Sequence, residues 1–151
     1  MLSPSEFIVG KVGIAKPLSL ILPTSKYEET LLVGQLNDVP TAVFLSGQHK
    51  SMFFEAESNE SWGGLIIPSV RIEIDEASFV EEYSSEAPML SVTRTYTKLV
   101  VAAQAERPFG RQIQITLHEG LVSSGEAKAK FANWQIVLGE GQDKRVLWTA
   151  T

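Results

Sequence analysis

The chain has 151 residues, of which 44% are hydrophobic and 21% charged, with a formal net charge of −5. This balance excludes a disordered chain and is typical of one globular domain, or of two very small ones that share a core. Cysteine is absent, which excludes disulfides, thiolate metal sites and cysteine nucleophiles. The N-terminus has no basic and apolar leader, and no apolar run approaches the roughly 18 residues of a membrane span, so we expect a cytoplasmic protein with no membrane partner.

Five short apolar runs in the first third of the chain predict strands, because each is bounded by glycine, proline or polar turn residues. They are residues 7–14, 18–22, 30–36, 42–45 and 51–56. A turn that contains Asn37 and Asp38 separates the third run from the fourth.

Residues 65–75 form the clearest predicted strand. From Val70 onward apolar residues alternate with charged ones, which is typical of a ribbon with one buried and one solvated face. Residues 65–67 are apolar on both faces, which suggests a strongly bent member of a small closed sheet. Pro68 lacks the N–H that a sheet ladder needs, so it predicts a bend or a change of partner strand.

The pattern changes after the long strand. Residues 76–83 place apolar side chains at helical spacing, which predicts a short helix capped by Asp75, with a continued strand as the alternative. The serine- and proline-containing residues 84–88 predict a linker. We therefore divide the chain into a small barrel over residues 1–86 and a second β module over residues 87–151.

Alternating patterns predict further strands in the second part. They cover residues 90–96, 113–117, 134–138 and 146–150. Residues 99–105 are alanine-rich toward their end and predict a helical turn. Roughly nine strands with short turns indicate an all-β class. We expect small bent-sheet barrels, with the second β-rich part packed on the first as one compact unit or as two.

One internal similarity suggests two related modules. Residues 31–34 and Pro40 align, at an offset of 68 positions, with residues 99–102 and Pro108, and each segment precedes an alternating strand. A duplicated small sheet is one explanation, and recurrent turn chemistry is the other.

Charge is distributed unevenly along the chain. Residues 55–86 hold nine acidic residues and one base, whereas residues 87–151 hold five acids and eight bases. These segments are either solvated strand faces or surfaces of opposite charge that face each other, within the chain or between copies.

Residues 16–76 resemble the Sm-like small barrel, an SH3-like bent sheet. In the first motif of that family a glycine and an aspartate precede an apolar strand, as Gly34 and Asp38 do here. The second motif has apolar strands around an arginine-glycine step, where Ile67 and Pro68 stand here. The resemblance implies rings in which edge strands pair between subunits, while the replaced step removes the residues that would hold RNA bases.

Trp62, His49 and His118 are candidate ligand- or partner-facing residues. Trp62 stands in a glycine-containing loop where a large ring has no evident core position. The two histidines follow predicted strands that occupy comparable places in the two parts. A site at a barrel mouth, shared by these three side chains, is therefore one hypothesis.

Arg94, Tyr96 and Lys98 form a second candidate surface. An aromatic residue between two bases resembles, on a small scale, the surfaces that bind single-stranded nucleic acid. Asp38 is a third candidate, because it is the polar motif residue that the Sm-like resemblance retains. The net charge of −5 provides no general attraction for phosphate, so nucleic acid is not the favoured partner.

The sequence contains no phosphate-cradling loop, nucleophile elbow or metal-spaced histidine pair, so we assign no catalytic residue, metal ligand or cofactor. We expect a non-enzymatic, oligomeric β-barrel protein that associates with copies of itself as an assembly, scaffold or binding module. An Sm-like RNA-binding protein is one alternative. A small-molecule binder or enzyme with a site near Trp62, His49 and His118 is the other.

Overall fold

A computed structural model describes residues 2–25, 29–56, 62–81, 90–95, 98–104, 112–124, 129–131 and 133–150. These residues form fifteen strands and four short 3₁₀ helices. The predicted all-β class is confirmed. None of the described helices is long and apolar enough to span a membrane.

The first sheet takes six antiparallel strands from the first half of the chain. They are β1 (Ile8–Lys11), β2 (Ser19–Leu22), β3 (Leu31–Leu36), β4 (Val39–Phe44), β5 (Phe53–Glu55) and β6 (Gly63–Ile67). Their order is β1-β6-β2-β3-β4-β5, so β2 to β5 form a meander and β6 returns to lie between β1 and β2. The β3–β4 turn is tight because Asn37 and Asp38 adopt φ values of 49° and 65°, as a two-residue hairpin turn requires.

The predicted strand at residues 65–75 is two strands in two sheets. β6 pairs with β1 and β2. β7 (Arg71–Ile74) pairs instead with β14 (Trp134–Leu138), near the end of the chain. The predicted change of partner at Pro68 is therefore confirmed.

The second sheet also has six antiparallel strands. They are β8 (Phe79–Glu81), β9 (Leu90–Thr95), β10 (Lys98–Gln104), β11 (Gln112–Thr116), β12 (Val122–Ser124) and β13 (Ala129–Phe131). Read from β8, their order is β8-β13-β9-β10-β11-β12. A third sheet has the order β15-β14-β7, where β15 is Arg145–Thr149.

The first two sheets repeat the same strand order, and we call β1–β7 the first repeat and β8–β14 the second. The ladder registers repeat as well, because one row of directly paired residues crosses five strands in each sheet. The row is Ile67, Leu20, Leu32, Val43 and Phe53 in the first sheet, and Phe131, Val92, Val101, Ile115 and Val122 in the second.

A pseudo-twofold axis relates the repeats and passes through the third sheet. Counted from the equivalent residues Ile67 and Phe131, Ile72 of β7 corresponds to Ile136 of β14. These two isoleucines are directly paired in the antiparallel ladder between β7 and β14. Equivalent residues that face each other in this way mark an approximate twofold axis.

One core cluster draws buried residues from both repeats. The first repeat contributes Leu20, Leu32, Val43, Leu45, Phe53, Ile67 and Val70, and the second contributes Ile113, Ile115, Leu117, Val122, Phe131, Trp134 and Ile136. A second cluster lies on the other face of the first sheet, where Ile21 and Ile66 pack with Val12 of the 3₁₀ helix Val12–Ile14. Burial of both sheet faces explains why Ile66 and Ile67 are both apolar.

The described sheets are open, which differs from the predicted barrels. The first sheet has edges at β1 and β5, and the second has edges at β8 and β12. These edge strands are only three or four residues long. Closure would require the two edges of one sheet to pair with each other, and no such pairing occurs among the described strands.

The helical turn predicted at residues 99–105 is wrong. Lys98–Gln104 is β10, which pairs with β9 on one side and β11 on the other. Two ladders of backbone hydrogen bonds override the modest helical preference of alanine. The sequence also predicts no strand at β12 or β13, which have only three residues each and lie among turn-forming residues.

Of the predicted segment 76–83 the structure describes residues 76–81, where both alternatives occur in succession. Glu76–Ser78 is a 3₁₀ helix, and Asp75 caps it by accepting a hydrogen bond from the Ala77 N–H at 3.0 Å. β8 follows directly. The predicted linker and the division between residues 86 and 87 lie outside the described residues.

Candidate functional site

His49 and Trp62, two of the predicted site residues, lie in contact at one end of the first sheet. His49 is in the turn between β4 and β5, and Trp62 immediately precedes β6. Their ring centroids are 5.7 Å apart, and the rings of His49 and Trp62 pack on Phe44 at 5.1 and 5.0 Å. Because Phe44 is buried in the core, this aromatic group is anchored on the sheet.

Glu29 is a member of this group that no sequence pattern indicates. Its Oε1 lies 3.1 Å from His49 Nδ1 and 3.4 Å from the His49 backbone nitrogen, and its side chain is 12% exposed. Gly47 leaves room for it, since a Cβ there would come within 2.6 Å of the Glu29 carboxyl carbon. The carboxylate orients the imidazole and ties the β4–β5 turn to the segment that leads into β3.

The two predicted histidines lie in different sheets. His118 is exposed in the turn between β11 and β12, which is the second-repeat equivalent of the turn that holds His49. Among the described residues, no group of three or more His, Asp or Glu side chains is arranged to hold a metal ion. The structure therefore brings together His49 and Trp62 of the three residues predicted near a barrel mouth.

The remaining predicted site residues lie in two hairpins. Asp38 accepts a hydrogen bond from Gln35 Nε2 at 3.0 Å within the β3–β4 hairpin. Arg94 and Lys98 lie at the adjoining ends of β9 and β10. Tyr96, between them in the sequence, lies outside the described residues.

β1 presents exposed apolar side chains at a sheet edge. It pairs with β6 on one side, and no described strand pairs with its other side. Ile8 is 56% exposed and Val9 is 72% exposed. Edge strands commonly carry charges or bulges that block pairing with another chain, whereas the sequence of β1, Ile-Val-Gly-Lys, has one charge, at its end.

β8 holds the equivalent place at the edge of the second sheet. It pairs with β13, and its other side meets no described strand. Phe79 is 47% exposed, and its ring lies 5.2 Å from that of Phe131. The two repeats thus present equivalent edge strands that each expose apolar surface.

An ion pair fixes the segment that leads into β1. Arg145 Nη1 lies 2.7 Å from Glu6 Oε2, which joins the 3₁₀ helix Pro4–Glu6 to β15. The hydrogen bond from Arg145 lowers the pKa of Glu6, and the same bond raises the pKa of Arg145. Both groups therefore stay charged at neutral pH and hold the start of the β1 edge in place.

Comparison with known proteins identifies relatives along almost the whole chain. A family model described as "Uncharacterised protein y4lG" matches residues 9–151. A protein described as "Uncharacterized protein y4lG" from Sinorhizobium fredii (strain NBRC 101917 / NGR234) is 49% identical over 148 residues, which cover 98% of this chain and 92% of that relative. No solved structure matches the chain. The family match begins within β1 and extends beyond β15, so it includes both repeats.

Proposed function

The chain belongs to the y4lG family, and from that premise we propose that it is a non-enzymatic assembly protein whose copies associate by pairing β1 of one copy with β8 of the next. One observation carries the proposal: equivalent strands of the two repeats lie at sheet edges and expose Ile8, Val9 and Phe79. An exposed edge offers backbone N–H and C=O groups to another strand. Apolar side chains beside it add burial on association.

The charge distribution supports a contact between different edges. β8 belongs to residues 55–86, which contain nine acidic residues and one basic residue. β1, by contrast, ends at Lys11. Contact between β1 and β8 brings this base toward the acidic segment, whereas pairing of β8 with another β8 brings acidic segments together.

A contact between two different edges is heterologous, so it generates a ring if the rotation closes and a filament if it does not. The Sm-like resemblance of residues 16–76 supports the ring, because it implies copies joined through edge strands. Among the strands β2 to β6, the last strand lies beside the first, an order that agrees with the same resemblance.

Sedimentation velocity over a concentration series tests the proposal with two charge-introducing variants. Val9→Lys disrupts the β1 edge and Phe79→Lys disrupts the β8 edge, because a lysine is poorly accommodated against another apolar strand. We expect the wild type to form larger species as its concentration rises, and each variant alone to remain monomeric. Val146→Lys changes another exposed valine, on β15, and should behave as the wild type does.

Mixing the two variants identifies which edges meet. Val9→Lys keeps an intact β8, and Phe79→Lys keeps an intact β1, so an equimolar mixture should form a species of two copies that neither variant forms alone. Circular dichroism of each variant verifies that it is folded. A wild type that remains monomeric at the highest concentration overturns the proposal, and a Phe79→Lys variant that still self-associates overturns the heterologous contact.

A further inference from the structure

A cleft of about 210 Å³ opens on the face of the first sheet that carries the second core cluster. β1, β2 and β6 form its floor, and the 3₁₀ helix Val12–Ile14 stands at its side. Ile8, Ile14, Ile66 and Pro68 line it with apolar surface. A largely apolar cleft with a few polar groups is the usual form of a small-ligand site.

Two polar groups at this cleft have no partner among the described residues. Ser19 is fully buried, and its hydroxyl has no hydrogen-bond partner among the described residues. A buried hydroxyl without a hydrogen-bond partner lowers stability. A ligand that supplies this partner would therefore gain binding free energy. Lys16 lines the same cleft with an exposed side chain, and it makes no ion pair or hydrogen bond with another described residue.

Glu6 also lines the cleft, but its carboxylate is paired with Arg145 at 2.7 Å rather than with Lys16. Ser5 and Phe7 also line it. The cleft therefore combines a largely apolar lining with one ammonium group, two hydroxyls and a carboxylate that is already paired with Arg145. An ammonium group and a hydroxyl together suit a carboxylate, whose oxygens accept hydrogen bonds from both.

From these features we propose that the cleft binds a short-chain aliphatic carboxylate, with its chain against Ile8, Ile14 and Ile66 and its carboxylate toward Lys16 and Ser19. By comparison with the volume of water, the cleft holds about seven non-hydrogen atoms. Branched or linear monocarboxylates of four to six carbons are of about this size.

The second repeat lacks the same combination, so the proposal gives one site per chain. The residue that corresponds to Ser19 in the register of the second sheet is Ser91. Counted back from this serine in the sequence, Pro88 replaces Lys16 and Glu86 replaces Ile14. The sequence of the second repeat therefore does not repeat the lysine and the isoleucine that accompany Ser19.

Titration of the full chain with 3-methylbutanoate, followed by methyl-detected NMR, tests the site. We expect shifts of the Ile8, Ile14 and Ile66 methyl groups that fit one site per chain. The neutral isostere 3-methylbutanamide has the same shape without the charge. Its affinity should be about tenfold lower than that of the carboxylate.

Variants separate the charge from the shape of the cleft. Lys16→Gln should reduce the affinity for the carboxylate about tenfold, to that for the amide, without changing the affinity for the amide. Lys11→Gln removes an exposed charge from β1 outside the cleft, and it should leave both affinities unchanged. Ser19→Ala should weaken binding several-fold and still fold, because it removes a buried group that has no described partner.

Equal affinities for the carboxylate and the amide, or an unchanged carboxylate affinity in Lys16→Gln, would overturn the proposal. The proposal would also be overturned if no methyl group shifted, or if the shifts were confined to methyl groups outside the cleft. Val9 faces away from Ile8 along the strand and does not line the cleft. Ligand binding can therefore be measured in the Val9→Lys variant, which separates this test from the assembly test.

Discussion

The close approach of β6 to β2 depends on Gly64. Its φ is +154°, and a Cβ at this position would collide with the backbone carbonyl oxygen of Leu22. We expect Gly64→Ala to lower the free energy of unfolding by about 2–4 kcal/mol, because the backbone of β2 cannot shift without losing its hydrogen bonds to β6.

Urea denaturation measures this loss, and Gly141→Ala provides the matched control. Gly141 has a φ of +57° but no atom within 4 Å of an added Cβ, so its substitution should cost about 1 kcal/mol from backbone conformation alone. Equal losses in the two variants would show that β6 is not held as tightly as the structure indicates.

Single residues differ in how far their roles follow from sequence. Pro68 and Asp75 act through their own backbone or through a neighbour two residues away, so local chemistry predicts the change of partner and the cap. Glu29 meets His49 only because the β4–β5 turn folds back over the start of β3. The contact of Trp62 with His49 likewise depends on the position of β6 in the first sheet. No local sequence pattern predicts that position.

Strand prediction succeeds where apolar and polar residues alternate and fails where the neighbouring strands decide the conformation. The alternation in β7, β11 and β14 predicts extended chain, and strands occur at all three places. The sequence of β10 predicts a helical turn because its small apolar residues suit both structures. Only the flanking strands β9 and β11 select the extended one. β12 and β13 are too short to show an alternation.

The pairing of β7 with β14 carries a pH-dependent bond. Glu73 of β7 accepts hydrogen bonds from Lys144 Nζ at 3.0 Å and from Gln135 Nε2 at 3.2 Å. The bond from Lys144 is the main reason that the pKa of Glu73 lies below its ordinary value of 4.5. The folded state therefore binds this proton less readily than the unfolded chain does.

The sign of the stability effect follows from this lowered pKa. Glu73 contributes stability above the ordinary pKa of a glutamate, and the contribution disappears as the pH falls through the lower folded-state value. We expect the wild type to be more stable than Glu73→Gln at about pH 7, with the difference shrinking toward about pH 3. Urea denaturation across this range measures it.

Glu140→Gln is the control, since it removes an equal charge from an exposed position in the adjoining loop. It should show no comparable pH-dependent difference from the wild type. A Glu73→Gln difference that grows as the solution is acidified would contradict the assigned bonds.

At the scale of the whole molecule, the sequence similarity between residues 31–34 and 99–102 lies in equivalent strands. β3 and β10 occupy the same place in the two sheet orders. The ladder rows align Leu32 with Val101, one residue further along than the sequence alignment does. Loops of different length between the strands shift the alignment repeatedly, so a single fixed offset reveals only a fragment of the repeat.

The shared core has a consequence for how the molecule unfolds. Buried residues of both repeats form one cluster between the first two sheets, and the Gln35 N–H of the first repeat donates a hydrogen bond to the Gly120 carbonyl of the second at 2.8 Å. Neither repeat can lose its structure without exposing the apolar face of the other. We therefore expect a single cooperative transition in differential scanning calorimetry, with equal calorimetric and van't Hoff enthalpies.

Core truncations in each repeat test this coupling. Leu32→Ala in the first repeat and Ile115→Ala in the second each remove a fully buried side chain of the shared cluster, and each should lower the free energy of unfolding by about 2–5 kcal/mol. Both should shift the same single transition to lower temperature. If the repeats unfolded independently, each variant would lower one of two transitions and leave the other in place, and that result would contradict the shared core.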